Sequence, residues 1–86
     1  MSKQEIKENL KTDKLVIGAD RTLKLLKNNK LQKVFTASNV PQKLEEDIMY
    51  YSNISDVLVE KLDIPNNELG IYCKKNYSVL IIGLLK

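Results

Sequence analysis

The sequence predicts an α/β protein, a three-layer α/β/α sandwich that forms one domain over residues 1–86. Three observations predict this fold class. β-like and helix-like segments alternate along the chain in the order αβαβαβαβ. The last β-like segment is apolar on both faces, which is typical of a central strand covered by helices on each side. A chain of 86 residues without a Pro/Gly-rich linker or an internal repeat can bury one core but not two.

The first part of the chain predicts two helices and two strands. Ile6 and Leu10 lie four residues apart among polar residues, which predicts a short amphipathic helix. The run "KLVIG" at 14–18 predicts a buried strand that ends at a glycine. Residues 19–28 have a helical period and end at asparagine, which tolerates left-handed geometry. "KVFTAS" at 33–38 is rich in β-branched and aromatic residues and predicts the second strand.

A third helix is predicted to end near Asn53. Asn39 and Gln42 have the spacing of a capping box, and Pro41 lies in the first turn, where a missing N–H costs little. An apolar stripe at i, i+4 and i+7 is assigned to packing. This stripe comprises Leu44, Ile48 and Tyr51.

The last part of the chain predicts two further strands around a short helix. "DVLVEK" at 56–61 is the third strand, and "YSVLIIGLL" at 77–85 is the fourth. Between them, Asn66 or Asn67 is expected to cap a short helix. The face that this helix buries comprises Leu69, Tyr72 and Cys73.

The composition excludes several classes of protein. Hydrophobic residues make up 43% and charged residues 29% of the chain, a balance typical of a soluble globular domain. A single cysteine excludes disulfide scaffolds and zinc ribbons within one chain. The absence of histidine removes the usual general base and the commonest metal ligand. Neither a dinucleotide-binding nor a phosphate-loop glycine pattern follows Gly18.

No segment predicts membrane insertion or export. The longest apolar run, residues 79–85, is far shorter than the roughly 20 residues that a membrane span needs. The N-terminal residues lack the apolar stretch of a signal peptide. We therefore expect a cytosolic protein.

Several reactive or aromatic residues have a plainer structural interpretation. The acidic run 45–47 favours the positive end of a helix dipole and is expected to be solvated. Cys73 is expected to be a small buried residue, although the lysines after it could lower its pKa. The tyrosines could stack on bases but are more often core edges. They are Tyr50, Tyr51, Tyr72 and Tyr77.

Charge is distributed unevenly along the chain. Residues 1–33 carry nine Lys/Arg and four acids, residues 34–69 carry two and seven, and residues 70–86 carry three and none. These segments sum to +5, −5 and +3, which is compatible with a nucleic-acid binder that has one basic side. A chance fluctuation in a lysine-rich protein explains the pattern equally well.

Three loops are the candidates for ligand binding. In α/β sheets, ligands gather where strands lead into helices, which singles out "GADR", "SNVP" and "LDIPNNELG". The helix after Gly18 offers backbone N–H groups to a phosphate, and Arg21 and Lys24 lie one turn apart. Arg21 can donate two hydrogen bonds to a guanine edge, and Asp20 can accept from a base. The alternative is that Asp20 only caps its helix and Arg21 is a solvated surface residue.

These residues are similar to a known pattern. The segments "IGADRTLKLLKNNKLQKVFTASNVPQKLEEDIMYYSNISDVLVEKL" and "NNELGIYCKKNYSVLII" resemble the L30e branch of the L7Ae/L30e group of kink-turn RNA-binding proteins, over about residues 13–84. The resemblance implies a four-stranded mixed sheet and a role in the large ribosomal subunit. It also implies recognition of a kink-turn, a bent internal loop that exposes base edges at tandem G·A pairs.

The resemblance implies an RNA-binding site built from three loops at one end of the sheet. The first loop and its helix contribute Gly18, Asp20, Arg21, Lys24 and Lys27, and the second contributes Ser38 and Asn39. The third loop contributes Ile64, Pro65, Asn66, Asn67, Glu68 and Leu69. The expected partners are rRNA and the large subunit, with no cofactor, metal or membrane, and the free protein is expected to be a monomer.

Other functions remain open at this stage. The protein could be a free kink-turn regulator that acts on transcripts or guide RNAs. It could also be a protein–protein adaptor that uses the acidic surface of residues 44–63. Enzymatic functions rank last because the chain has no histidine, metal-ligand cluster or phosphate loop.

Overall fold

The computed structural model describes residues 6–8 and 14–86. Residues 6–8 are helical, and the rest of the predicted first helix, including Leu10, lies outside the described residues. The strands are β1 (Leu15–Ile17), β2 (Leu31–Thr36), β3 (Leu58–Lys61) and β4 (Ile81–Leu85). The helices that follow β1, β2 and β3 are α1 (Ala19–Lys27), α2 (Gln42–Ser55) and α3 (Asn66–Tyr72). Among the described residues, no helix is long and apolar enough to cross a bilayer.

The sheet is mixed, and its strand order is β1-β4-β2-β3. β4 is antiparallel to both β1 and β2, whereas β2 and β3 are parallel. β1, β2 and β3 therefore run in the same direction, and the loops that leave them lie at one edge, which we call the loop edge. β4 begins at the loop edge and ends at the opposite one, which we call the far edge. The prediction that the last strand is central is confirmed.

Side chains that alternate along the central strands fill two cores. Val34 and Ile81 face α1 and α2, in a cluster that includes Leu26 and Ile48. The neighbouring residues on each strand, Phe35 and Ile82, face the other way. They pack with Ile6 from the first helix and with two residues of the α3 region. Those two residues are Leu69 and Cys73. Helices thus cover both faces of the sheet, and the predicted three-layer sandwich is confirmed.

Some element boundaries differ from those predicted. β2 begins at Leu31, two residues earlier than predicted, because Leu31 is fully buried and pairs with Leu85. It ends before Ala37, whose N–H donates to the carbonyl of Leu80 beyond the end of the β2–β4 ladder. α2 continues to Ser55 and stops at Asp56, which adopts a left-handed conformation with φ 55°. β3 and β4 are correspondingly shorter at their starts than the sequence predicts.

The predicted capping box at Asn39 and Gln42 is wrong. α2 begins at Gln42, and its N-cap is Pro41 in an extended conformation, with no side-chain cap. The Gln42 amide donates instead to Glu46 at 3.2 Å. Pro41 therefore precedes the helix instead of occupying its first turn.

The interpretation of Cys73 as a buried residue is confirmed. Its side chain packs in the core on the α3 side of the sheet. Burial raises the pKa of the Cys73 thiol, and the positive charge of Lys75 offsets part of that rise. The thiol is therefore protonated near neutral pH, and the lysines do not activate it.

Candidate RNA-binding site

The start of β4 holds two of the loops together at the loop edge. The N–H of Gly18 donates to the carbonyl of Ile81 at 3.1 Å, and the N–H of Ala37 donates to the carbonyl of Leu80 at 2.8 Å. The third loop is joined to the second, since the N–H of Ser38 donates to the carbonyl of Ile64 at 2.8 Å. The three loops predicted to bind ligand therefore lie side by side.

Gly18 sets the direction in which the chain enters α1. It is the N-cap of α1 with φ 118°, a conformation that favours glycine, and its carbonyl accepts from Thr22 at 3.1 Å. Asp20 is in the first turn of α1 and is not its N-cap, so the predicted capping role of Asp20 is wrong. Its carboxylate still lies at the positive end of the helix dipole. Arg21 and Lys24 are exposed on the same helix.

Asn39 caps α3 from a different loop. Its side-chain oxygen accepts from the backbone N–H of Asn66 at 2.9 Å, and its side-chain nitrogen donates to Oδ1 of Asn66 at 2.8 Å. Asn66 is the first residue of α3, which follows Pro65 and has no side-chain cap of its own. The prediction that Asn66 or Asn67 is the cap is therefore wrong. This pair of hydrogen bonds fixes the second loop against the third.

The third loop borders an apolar hollow on the outside of α3. The hollow has a volume of about 280 Å³ and is lined by Ile64, Glu68, Ile71 and Tyr72. Ile71 is 73% exposed and adds apolar surface to this hollow. The surface next to Ile64 can therefore receive an apolar or aromatic group.

Two residues named from the sequence do not reach this surface. Lys27 is the last residue of α1, and its ammonium lies 4.9 Å from the centre of the Tyr51 ring. α1 has nine residues and is therefore about 13 Å long, which separates Lys27 from Gly18. Leu69 is fully buried in the core and supports the third loop from below. The other named residues lie on the three loops or the first turns of their helices, except Lys24, which lies one turn beyond Arg21 in α1.

A fourth segment lies at the loop edge and was missed by the sequence analysis as part of the site. Residues 74–78 precede β4, and the next residue, Val79, donates its N–H to the carbonyl of Asn66 at 3.0 Å. Tyr77 is 56% exposed and shares a hollow of about 360 Å³ with Arg21 and Lys75. The polar run "KKNYS" directly before an apolar strand is the sequence signal for such a segment.

Gly70 allows this segment to approach α3. A Cβ atom at Gly70 would overlap the backbone carbonyl of Tyr77, so only glycine fits without a shift of α3 or of the segment before β4. Gly70 therefore determines where Tyr77 stands relative to α3.

Charges of both signs are present at the loop edge. Arg21 and Lys75 lie together beside β1, at one side of the sheet. At the other side, Glu45 pairs with Lys61 of β3 at 3.1 Å. The loop edge is therefore not a uniformly positive surface, and hydrogen bonding and stacking must contribute to any binding of RNA there. No group of three or more potential metal-ligating side chains occurs in the described part of the chain.

The fold and site define a small α/β domain that presents loops, cations and an exposed aromatic ring at one sheet edge. The chain belongs to the ribosomal protein L7Ae/L30e/S12e/Gadd45 family, whose profile matches residues 1–85. The resemblance predicted from the sequence is therefore confirmed.

Curated relatives within this family carry a ribosomal name. The chain is 37% identical over 81 residues to the large ribosomal subunit protein eL30 of Sulfolobus acidocaldarius, which covers 94% of this chain and 78% of the relative. It is 35% identical over 80 residues to eL30 of Methanocaldococcus jannaschii, covering 93% and 73% of the two chains.

Solved structures share the fold at lower identity. The 15.5 kD RNA binding protein of Giardia lamblia superposes with a TM-score of 0.76 at 19% identity, covering 94% of this chain and 68% of that one. A protein of unknown function from Bacillus halodurans superposes with a TM-score of 0.85 at 15% identity, covering 94% and 80%. At these identities the likeness establishes the fold alone.

Proposed function

We propose that this protein is a non-enzymatic constituent of the large ribosomal subunit in the cytoplasm, and that it binds a kink-turn in rRNA through the loop edge. The names of the eL30 relatives support the ribosomal role. One structural observation carries the proposal for the site: three loops and the segment before β4 are joined by backbone hydrogen bonds into one surface. A surface of this kind is preorganised, so little ordering entropy is lost when RNA binds.

The groups on this surface suit unpaired or distorted RNA. The Arg21 guanidinium can donate two parallel hydrogen bonds to a guanine edge or a phosphate. Tyr77 exposes a ring on which a base can stack, next to the cations Arg21 and Lys75. Ile64 and the hollow beside it can cover a splayed-out nucleotide.

The remaining loop residues have supporting roles in this proposal. Lys24 adds a phosphate contact one turn beyond Arg21. Gly18 and Ser38 bring backbone close to the RNA, while Asn39 and Asn66 hold two loops in register. Pro65, Asn67, Glu68 and Asp20 line the surface. Lys27 and Leu69 do not contact the kink-turn.

A salt-series titration tests the proposal. Purified protein is titrated against a labelled kink-turn RNA and against a control RNA whose tandem G·A pairs are replaced by G·C pairs. We expect tight binding that survives moderate salt only with the intact kink-turn. Equal binding to both RNAs, lost steeply as salt rises, would reduce the interaction to phosphate attraction and contradict the proposal.

A matched pair of variants locates the contact. Arg21→Gln should weaken kink-turn binding by about 1–3 kcal/mol, the range for a bidentate contact to a base. Lys7→Gln removes the same charge at an exposed position outside the four loop-edge segments and should have little effect. If both variants lose affinity equally, the site does not read base edges through Arg21.

A free kink-turn regulator is the alternative within the same binding class. Stable co-sedimentation with large subunits in high salt would exclude it, whereas a fully soluble protein would favour it. The adaptor hypothesis is weakened because two of the six acids of the 44–63 surface form ion pairs within the protein: Glu45 with Lys61, and Glu60 with Lys33, each at 3.1 Å. Sedimentation of the free protein also tests the proposed monomer.

A further inference from the structure

Three lysines that are distant in sequence lie at the far edge of the sheet. Lys14 precedes β1, Lys30 precedes β2, and Lys86 follows β4. Backbone hydrogen bonds join them: Leu85 donates to the carbonyl of Lys14 at 2.8 Å, and Lys86 donates to the carbonyl of Lys30 at 3.1 Å. The three positions are therefore neighbours across β1, β4 and β2.

The strand spacing gives the dimensions of this row. Adjacent strands lie about 4.8 Å apart, so the backbones of Lys14 and Lys30 are about 10 Å apart. All three side chains are exposed. Asn29, in a left-handed turn with φ 57°, accepts from the ammonium of Lys86 at 3.1 Å and orients it. Lys27, at the end of α1, adds a fourth cation near this edge.

Few acids compensate these charges. Within residues 6–8 and 14–86, no ion pair joins Lys14, Lys30 or Lys86 to a carboxylate. Asp56, at the end of α2, is an acid at this edge, because Ser55 beside it hydrogen-bonds to the carbonyl of Leu26 near the end of α1. Asp13, which precedes Lys14 in the sequence, lies outside the described residues. The far edge therefore carries exposed lysines that have no ion-pair partner among the described residues.

We propose that this lysine row binds the phosphate backbone of a second, double-stranded RNA segment while the loop edge holds the kink-turn. This inference rests on the proposed function. The two edges are at opposite ends of strands β1, β2 and β4, in a domain of 31 × 28 × 22 Å, so they face different sides of the molecule. The protein then acts as a bridge between two RNA segments.

The composition of the row favours RNA over protein as its partner. Lysines on flexible stems act as point charges that suit phosphates at any sequence, whereas lysine is depleted from protein–protein interfaces. The neutral neighbours Asn28 and Gln32 are polar and exposed, and the exposed apolar residues Ile54 and Leu58 belong to α2 and β3, not to the three strands of the row. An acidic protein is the alternative that the experiment must distinguish.

The test uses the full chain saturated with unlabelled kink-turn RNA. A labelled RNA duplex of about 20 base pairs without an internal loop is titrated in at several salt concentrations, with anisotropy as the readout. We expect the duplex to bind the preformed complex. K14Q/K30Q should weaken this binding about tenfold at 0.1 M salt and lower the salt slope by about 2, at about 0.9 per lost phosphate contact. Its kink-turn affinity should stay within about twofold, since the loop edge is untouched.

The control variant K7Q/K43Q removes the same number of charges at exposed positions that are not part of the row: Lys7 in the first helix and Lys43 in the first turn of α2. It should leave duplex binding within about twofold, as expected for lost surface charges that contact no phosphate. Equal losses in both double variants, or no duplex binding by the complex, would overturn the inference. Polyglutamate that displaces the labelled duplex as effectively as unlabelled duplex does would also overturn the inference, in favour of an acidic protein as the partner. Kink-turn binding is measured in a separate titration, and its failure would contradict the proposed function. The duplex would then be titrated against the free protein, so that the lysine row is still tested.

Discussion

Replacing Asn39 with alanine should destabilise the protein through a helix that lies 27 residues further along the chain. The substitution removes two hydrogen bonds, from Asn66 N–H to Asn39 Oδ1 and from Asn39 Nδ2 to Asn66 Oδ1. The first N–H of α3 then has no partner within the protein, and the second loop is no longer fixed to the third. Because both groups are exposed, water replaces part of what is lost.

The size of the effect follows from these contacts. Loss of a cap costs about 0.5–2 kcal/mol, and an ordinary hydrogen bond contributes about 0.5–1.5 kcal/mol, with exposed pairs at the low end. We therefore expect a loss of about 1–2 kcal/mol in the free energy of unfolding. For 86 residues, the unfolding entropy is about 0.18 kcal/mol/K, so 1 kcal/mol lowers Tm by about 5–6 °C. The expected decrease in Tm is about 5–11 °C.

Thermal unfolding followed by circular dichroism measures this decrease. Asn67→Ala is the matched control, because Asn67 is exposed in α3 and is one of the two caps that the sequence alone suggests. Its Tm should change by no more than about 2 °C, since alanine favours a helix interior. Asn39→Asp should keep much of the stability, because a carboxylate accepts from the Asn66 N–H and suits a helix N-terminus. A larger decrease for Asn67→Ala than for Asn39→Ala would refute the inter-loop cap.

Three further predictions concern packing and the thiol. Gly70→Ala should lower the free energy of unfolding by about 1–3 kcal/mol, because the new Cβ overlaps the carbonyl of Tyr77. The amide chemical shifts of residues 76–79 should also change in NMR spectra. A variant as stable as the parent would contradict this close approach. Ile48→Ala should cost about 2–5 kcal/mol in a denaturant titration, whereas Ile54→Ala, at a position 66% exposed in the same helix, should change stability by at most about 0.5 kcal/mol. Cys73 should react slowly with a thiol reagent in native protein at pH 8 and rapidly in denaturant, because its raised pKa leaves little thiolate in the folded state. Equal rates would show that the thiol is not buried.

The sequence predicted the layers of the fold because hydrophobic period depends on secondary structure. Period-2 and period-3.6 patterns distinguish strands from helices locally, and an all-apolar strand must be covered on both sides. The stripe at Leu44, Ile48 and Tyr51 was therefore assigned correctly to packing. Boundaries were less well predicted, because the ends of β2 depend on its pairing with β4, about fifty residues away.

The caps show why local patterns can fail. Asn39 has the spacing of a capping residue for the helix that follows it, yet its side chain bonds to Asn66. A capping box is a local rule, and a partner from another loop competes with it when tertiary structure brings that loop within 3 Å. No reading of residues 39–42 alone could reveal this partner.

The sequence by itself determined the fold class, the family and the three loops that lead from strands to helices. These properties depend on hydrophobic period, on turn residues and on short motifs, all of which are local in the chain. Only the tertiary structure decided that residues 74–78 join the loop edge, that Lys27 and Leu69 do not, and that Lys14, Lys30 and Lys86 form a row. The physical reason is that strand order and direction, which no local pattern encodes, determine which distant backbones share hydrogen bonds at each edge of the sheet.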